Sequence, residues 1–341
     1  MAGQKVKEIS GVGCDQIPFE ALIGGEVPVV LKGVAKDWPL VKAGQRSPED
    51  AMTYIEQFEA GREYTMYVVP PEVNGRIFYN EELTAPNYQP WKVSFPAFLE
   101  AMREQFKAAD PSAHYIGSRD ADTYFPGLRK DNDLKLKHPM FEHGNLLVSV
   151  WTGSKTLVAA HYDASNNLAC CMVGRRRFTL FPPEAISALY PGPLEPTPGG
   201  QVLSMVDHHN PDLRKFPRFK EAEAMAQVAE LEPGDVLYFP ALWWHQVEAL
   251  EPFNVMMNYW WNDVPLHIDD PRAALLHGML ALRERPEQEK KAWKQIFNYY
   301  VFGDAEDVRA HLPKHARGPL GELDTLTARR LRAYILQLLN R

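Results

Sequence analysis

Short apolar runs separated by glycine and proline dominate the sequence between residues 111 and 265. Examples are residues 146–151, 168–173 and 236–239, each of which has a glycine or a proline within two positions of one end. Runs of about four to eight residues bounded by turn residues are typical of strands, because a helix needs a longer uninterrupted segment. A series of such strands predicts a β-sandwich or a barrel.

The regions on either side have a different pattern. Residues 1–110 combine a short apolar strand with helix-like spacing at 48–60 and 96–107. Residues 268–341 carry apolar stripes at helical intervals. The last of these stripes consists of Leu331, Tyr334, Ile335, Leu338 and Leu339. We therefore predict an N-terminal α/β segment packed on the core (1–110), a β core (111–267) and a C-terminal helical dimerisation region (268–341).

The amino-acid composition and the net charge argue against several classes of protein. Apolar residues make up 45% and charged residues 24% of the chain, which is the usual mixture of a globular protein. A net charge of −7 argues against nucleic acid as a partner held by bulk charge. Three cysteines are too few for a disulfide framework, so we expect a cytoplasmic protein. No stretch approaches the ~18 apolar residues of a membrane span, and residues 1–8 lack the apolar segment of a signal peptide.

The most informative residues for function are the triplet His161-Tyr162-Asp163 and the distant His245. Side chains at positions i and i+2 of a strand lie on the same face, so His161 and Asp163 can bind one metal ion together. His245 would complete a set of two imidazoles and one carboxylate, which leaves coordination positions open, as in non-haem Fe(II) oxygenases. The triplet alone is weak support in a chain with 11 histidines, and a histidine of the core or the surface is the alternative.

Several motifs taken together resemble the cupin-like JmjC oxygenases. These motifs are His161-Tyr162-Asp163, Phe181-Pro182-Pro183, Gly234-Asp235-Val236-Leu237-Tyr238-Phe239-Pro240 and Trp243-Trp244-His245. Within that family the chain is most similar to the asparaginyl hydroxylases, the enzymes that inhibit hypoxia-inducible factor. Residues 28–39, 206–219 and 255–260 carry this closer similarity. The resemblance covers roughly residues 25–265 and, more loosely, the remainder of the chain.

The resemblance implies a fold that is mainly β with α additions. It is a double-stranded β-helix, or jelly roll, with N-terminal helices and a C-terminal helical extension. It also implies Fe(II) as the metal, 2-oxoglutarate as the cosubstrate and O₂ as the oxidant. His161, Asp163 and His245 match the metal ligands of the family residue by residue. The implied reaction hydroxylates a side chain of a protein or peptide and releases succinate and CO₂.

Arg176 is the candidate residue for binding the far carboxylate of 2-oxoglutarate. It alternates with Phe178 and Leu180, so it shares their inward face if this segment is a strand, and an arginine there would require an anion. The family usually has a lysine at this position, so the cosubstrate could sit differently or differ in kind. Three further residues match polar positions near the cosubstrate: Tyr115, Asn167 and Asn258. A core tyrosine and satisfied strand-end amides are the alternative interpretation.

Other functions are compatible with the same motifs. They are a JmjC lysine demethylase, a small-molecule hydroxylase and a non-catalytic cupin that serves as a binding module. The complete set of His161, Asp163 and His245 favours an enzyme over the binding module, because inactive relatives commonly lose a ligand. The similarity to the asparaginyl hydroxylases and the lack of chromatin-reader motifs favour protein hydroxylation over demethylation.

The C-terminal stripe predicts a homodimer. Residues 325–341 are short for an isolated helix, and helices of fewer than about 12–15 residues are marginal alone. The region 272–303 carries two further apolar stripes, and one jelly roll has limited outer surface to cover all of them. Pairing of the C-terminal helices would bury them at a shared interface, and the resemblance implies the same arrangement. Burial of the last helix on the β core is the alternative.

Overall fold

The computed structural model describes residues 3–141 and 146–340. It divides into two compact units, Met1–Asn262 and Asp263–Arg341. The first unit is built on two β-sheets with helices, and the second is helical. Among the described residues, no helix has the length and apolar character needed to cross a membrane.

The strands of the described residues are numbered in chain order. They are β1 (Gln4–Lys5), β2 (Lys7–Ile9), β3 (Val29–Leu31), β4 (Glu63–Val69), β5 (Arg76–Ile77), β6 (Gln89–Ser94), β7 (Ala113–Asp120), β8 (Leu147–Gly153), β9 (Leu157–Tyr162), β10 (Asn166–Val173), β11 (Arg176–Phe181), β12 (Gln227–Leu231), β13 (Val236–Phe239), β14 (Trp244–Ala249) and β15 (Asn254–Trp261). The helices are α1 (Phe19–Gly25), α2 (Pro39–Arg46), α3 (Pro48–Glu56), α4 (Phe95–Gln105), α5 (Ala121–Tyr124), α6 (Phe219–Met225), α7 (Pro271–Leu282), α8 (Glu287–Tyr300), α9 (Ala305–Arg309) and α10 (Thr325–Leu339).

The strands from β8 onward form the predicted double-stranded β-helix. Strands β8, β10, β13 and β15 lie in one sheet, whose order is β2-β3-β13-β10-β15-β8-β7-β4-β6. Strands β9, β11, β12 and β14 lie in the other, whose order is β1-β12-β11-β14-β9-β5. All pairings among these eight strands are antiparallel, and successive strands mostly alternate between the sheets. The fold class predicted from the sequence is confirmed.

Strand β10 shows why its apolar run is nearly continuous. Leu168, Cys170 and Met172 pack in the cluster that includes the N-terminal helices. Ala169 and Cys171 pack with apolar residues of β11 and β13, between the two sheets. Because successive side chains of a strand point to opposite faces, a strand covered on both sides needs apolar residues at every position.

Residues 1–110 contribute strands to both sheets and are therefore continuous with the first unit. Strand β3 pairs with β13, and β4 pairs with β6 and β7. Asp235 stabilises the junction between β3 and β13. Its carboxylate accepts hydrogen bonds from the backbone N–H of Gly33 and of Glu232, each at 2.9 Å, and forms an ion pair with Lys32.

Helices α7, α8 and α10 of the second unit coincide with the three apolar stripes read from the sequence. The Asp324 carboxylate caps the start of α10 by accepting a hydrogen bond from the N–H of Thr327 at 2.7 Å. Among the described residues of α10, Ala328 is the buried one, whereas Tyr334 is 58% and Leu339 is 49% exposed. Much of the apolar stripe of α10 is therefore left uncovered in the single chain.

Candidate functional site

Two adjacent strands bring together His161, Asp163 and His245. His161 lies near the end of β9, Asp163 follows that strand, and His245 lies near the start of β14. His161 and His245 are directly paired across the two antiparallel strands. One possible ligand atom from each of the three residues lies within 4.8 Å of the others. A single ion can therefore contact all three side chains after small adjustments.

Hydrogen bonds fix which nitrogen of each histidine is free. His161 Nδ1 lies 2.9 Å from the carbonyl oxygen of Ala159, and His245 Nδ1 lies 3.0 Å from that of Trp243. A carbonyl oxygen only accepts, so in both rings Nδ1 carries the proton and Nε2 keeps a lone pair. Backbone contacts of this kind orient histidines that bind metals.

The protonation state of His245 suits a metal ligand. Burial lowers the pKa of His245 to about 4, and His161 contributes in the same direction. His245 is therefore neutral at pH 7, which is the form that binds a metal. Its Nε2 lies 3.6 Å from an oxygen of Asp163. Two imidazoles and one carboxylate are the donor set of the facial triad in non-haem iron sites.

Leu242 ties the chain before His245 to Asp163. Its backbone N–H donates to the carbonyl oxygen of Asp163 at 2.8 Å. Leu242 has a φ of 66°, a left-handed conformation that costs a residue with a side chain about 1–2 kcal/mol. The surrounding structure therefore holds this turn in place, and the turn links two of the three residues of the cluster.

The predicted residues lie in one cavity. Its lining includes His161, Asp163, His245, Arg176, Tyr115, Asn167 and Asn258. Thus the residues assigned to the metal and those assigned to the cosubstrate share the space between the two sheets.

Arg176 begins β11 and is only 3% exposed. The preceding turn depends on Gly174, whose φ is +72° and where a Cβ would overlap the side-chain oxygen of Asn254. Burial lowers the pKa of Arg176, and the groups that oppose this shift are Cys171 and Tyr115, neither of which is a carboxylate. Its Nε has no hydrogen-bond partner in the described part of the chain. A buried cation without an anion is unfavourable, so this arrangement suits an anionic ligand.

Tyr115 contributes a hydroxyl group to the same cavity. It lies on β7 and pairs with Gly153 of β8. Burial raises the pKa of Tyr115, so its hydroxyl stays protonated at neutral pH and can donate a hydrogen bond. The Tyr115 hydroxyl and the Arg176 guanidinium therefore both favour an anionic ligand.

A second cavity shares His161 and Asp163 with the first, but Arg176 is not among the residues that line it. Its walls include Tyr67 and Tyr88, whose ring centroids are 4.6 Å apart. Residues of the long segment before α6 also contribute, among them Leu203. This largely aromatic and apolar space is a candidate entrance for a substrate group.

Sequence reasoning missed Trp151 and Trp260, which line both cavities. Trp260 could have been predicted, because Trp260 follows Asn258 by two positions and therefore lies on the same face of β15. Trp151 ends a predicted strand, but its side-chain partner lies on another strand. Its role therefore became visible only from the pairing of β8 with β15.

A comparison with protein families finds the model of the cupin-like domain over residues 16–267. This match covers most of the chain and all of the residues assigned to the site. The chain belongs to the cupin-like JmjC-domain family.

Curated members of this family include proteins from animals and plants. Human HSPB1-associated protein 1 is 35% identical over 150 residues, which are 42% of this chain and 30% of that protein. Arabidopsis thaliana lysine-specific demethylase JMJ31 is 33% identical over 275 residues, 71% of this chain and 48% of that protein. Xenopus tropicalis lysine-specific demethylase 8 is 26% identical over 241 residues, 69% and 48% of the two chains. The matches thus span half or less of the length of these relatives.

Proposed function

We propose that this chain is an Fe(II)- and 2-oxoglutarate-dependent dioxygenase that hydroxylates a protein side chain, in the manner of the asparaginyl hydroxylases. The observation that carries the proposal is the pairing of two features in one cavity. One is the open cluster of His161, Asp163 and His245. The other is buried Arg176, which has no carboxylate to neutralise it among the described residues.

The three residues of the cluster fit Fe(II). Both histidines present a free Nε2, and Asp163 supplies one negative charge. These three ligands leave coordination positions for a bidentate cosubstrate and O₂. Iron held there would couple the oxidative decarboxylation of 2-oxoglutarate, which yields succinate and CO₂, to insertion of one oxygen atom into the substrate.

The remaining polar residues fit a dicarboxylate. The Arg176 guanidinium can bind a carboxylate through two parallel N–H groups, and the Tyr115 hydroxyl can donate a third hydrogen bond. Asn167 and Asn258 lie on adjacent strands and line the same cavity, so both amides can contact the cosubstrate. Arginine in place of the usual lysine preserves the charge and can form two parallel hydrogen bonds to one carboxylate.

A protein or peptide is the proposed substrate. The second cavity is lined by the metal cluster residues His161 and Asp163 as well as by Tyr88 and Leu203, so it offers space beside the cluster for a side chain of a larger partner. The names of the relatives support this: one is named for its association with another protein, and two as lysine-specific demethylases.

Lysine demethylation is the second candidate, and the relatives named as demethylases favour it. Both reactions begin with hydroxylation, but the hydroxyl group on an N-methyl carbon is lost together with that carbon as formaldehyde. Mass spectrometry of a peptide library incubated with the protein, Fe(II), ascorbate and 2-oxoglutarate separates the candidates. A gain of one oxygen atom supports the hydroxylase, and loss of a methyl group from lysine contradicts it. Modification of small molecules alone would contradict a protein substrate.

We also propose a homodimer formed by the C-terminal helices. Helix α10 leaves Tyr334, Ile335 and Leu338 exposed in the single chain. A contiguous exposed apolar surface is unusual in a monomer, and twofold pairing would place the same stripe of each chain against its partner.

A further inference from the structure

A chain of hydrogen bonds links Trp151, Asn258 and Asn167. Trp151 Nε1 donates to Asn258 Oδ1 at 2.6 Å, and Asn258 Nδ2 donates to Asn167 Oδ1 at 3.4 Å. The three residues belong to β8, β15 and β10, which are neighbours in one sheet. Asn258 is fully buried and Asn167 is 4% exposed, so solvent does not compete readily for these bonds.

The chemistry of the indole ring fixes the orientation of both amides. An indole N–H only donates, so the atom of Asn258 that faces Trp151 must be its oxygen. The NH₂ group of Asn258 then faces Asn167, whose oxygen is occupied in turn. The N–H groups that this network leaves over on the two amides can donate to a ligand in the cavity.

We infer that Trp151 is a positioning residue that fixes the amides of Asn258 and Asn167 with their donors toward the cavity. Together with Arg176 and the Tyr115 hydroxyl, they give the part of the cavity beyond the metal cluster a donor character that selects a carboxylate. The inference rests on the proposed function, because it concerns how the same site binds 2-oxoglutarate.

Removal of the indole N–H would free the amide of Asn258 to rotate. Its oxygen could then face the ligand, and Asn167 could follow, so that a carbonyl oxygen would oppose a carboxylate. Replacement by phenylalanine keeps an aromatic ring between Tyr115 and Trp260, its neighbours in the cavity wall. Trp151→Phe therefore removes the donor and largely keeps the packing.

The bond itself is tested without any cosubstrate. In protein labelled with ¹⁵N-tryptophan, the indole N–H of Trp151 should exchange slowly with solvent, and Asn258→Ala should accelerate that exchange about fivefold, as expected for loss of one hydrogen bond. Unchanged exchange in Asn258→Ala would overturn the inference.

The consequence is tested by calorimetric titration of 2-oxoglutarate into the full chain loaded with Mn(II). Trp151→Phe should weaken binding about five- to tenfold, the effect of one lost hydrogen bond. In the Asn258→Ala background the same substitution should have little further effect, because Trp151 acts through Asn258. Trp261→Phe is the matched control: its indole N–H has no partner in the described residues and it packs on the other face of β15.

The outcomes separate the two proposals. If the native chain binds no 2-oxoglutarate, the proposed function fails, and the exchange measurement still decides whether Trp151 orients the amide. If the native chain binds it and Trp151→Phe binds equally well, the inference fails alone. Equal losses in Trp151→Phe and Trp261→Phe, or additive losses in the double variant, would also contradict a positioning role.

Discussion

His161 and His245 face each other across antiparallel strands, with their ring centroids 4.3 Å apart. Each ring is held through Nδ1 by the carbonyl group two residues before it. This arrangement leaves both Nε2 atoms free beside Asp163. The register of β9 against β14 thus places both imidazoles where they can bind one ion.

Replacing His161 or Asp163 by alanine should abolish turnover and weaken metal binding by at least about 100-fold, since even partners of metal ligands contribute 10- to 100-fold. Both side chains are partly exposed at the cavity, so the variants should remain folded. Calorimetric titration with Mn(II) and circular dichroism check the two expectations. Full turnover in both folded variants would refute the metal assignment.

Arg176→Ala should raise the KM for 2-oxoglutarate. Truncation of one partner of a buried charge pair costs about 2–5 kcal/mol, which corresponds to about 30-fold or more. Metal binding should stay intact, and Arg176→Lys should recover part of the affinity because it keeps the charge. Arg177→Ala is the control, since Arg177 is partly exposed and pairs with Glu230. An unchanged KM in Arg176→Ala would show that another cation holds the cosubstrate.

The inward position of Arg176 could be predicted because side chains in strands alternate with a period of two, and Phe178 and Leu180 mark the buried face. The pair His161 and Asp163 follows from the same rule. The role of Trp151 could not be predicted, because it depends on the register between β8 and β15, which no local pattern specifies.

For a related reason, most strands in residues 1–110 could not be predicted from the sequence. Strand β6 contains Pro90, lies largely exposed at the edge of its sheet and has only Trp91 and Val93 as large apolar residues, which is too short an alternation to mark a strand. Its conformation comes from pairing with β4. The helices of the second unit, in contrast, carry their own periodic stripes and were readily predicted.

His208 should make the protein sensitive to acid. Burial lowers the pKa of His208 to about 3, whereas a histidine in the unfolded chain titrates near 6.5. The unfolded state therefore binds more protons below pH 6.5, so stability is complete above that pH and falls as the pH drops toward 3. Between pH 7 and pH 5 this group alone should remove about 2 kcal/mol from the free energy of unfolding.

Urea titrations of the native chain and of His208→Gln at the two pH values measure this contribution. The ring of His208 lies against Phe181 and Phe219, so the variant should be less stable at pH 7. Its loss of stability between pH 7 and pH 5 should nevertheless be smaller than that of the native chain. Equal losses would show that His208 is not kept neutral by the fold.

Leu338→Arg should convert the proposed dimer into monomers, because it places a charge in the apolar stripe of α10. Truncation after Gly321 should do the same, and both changes should weaken activity. Leu336→Arg is the matched control, since Leu336 is exposed on the same helix but lies off the stripe. Sedimentation of the intact chain as a 38.8 kDa monomer at micromolar concentration would refute the dimer.

The central claim is tested most directly by following 2-oxoglutarate in the presence of Fe(II), ascorbate and air. The native chain should convert it to succinate and CO₂ in equal amounts, with slow uncoupled turnover when no substrate protein is added. His161→Ala and Asp163→Ala should release neither product. Absence of succinate from the folded, iron-loaded native chain, even with a complete peptide library present, would contradict the account and leave a binding module as the better description.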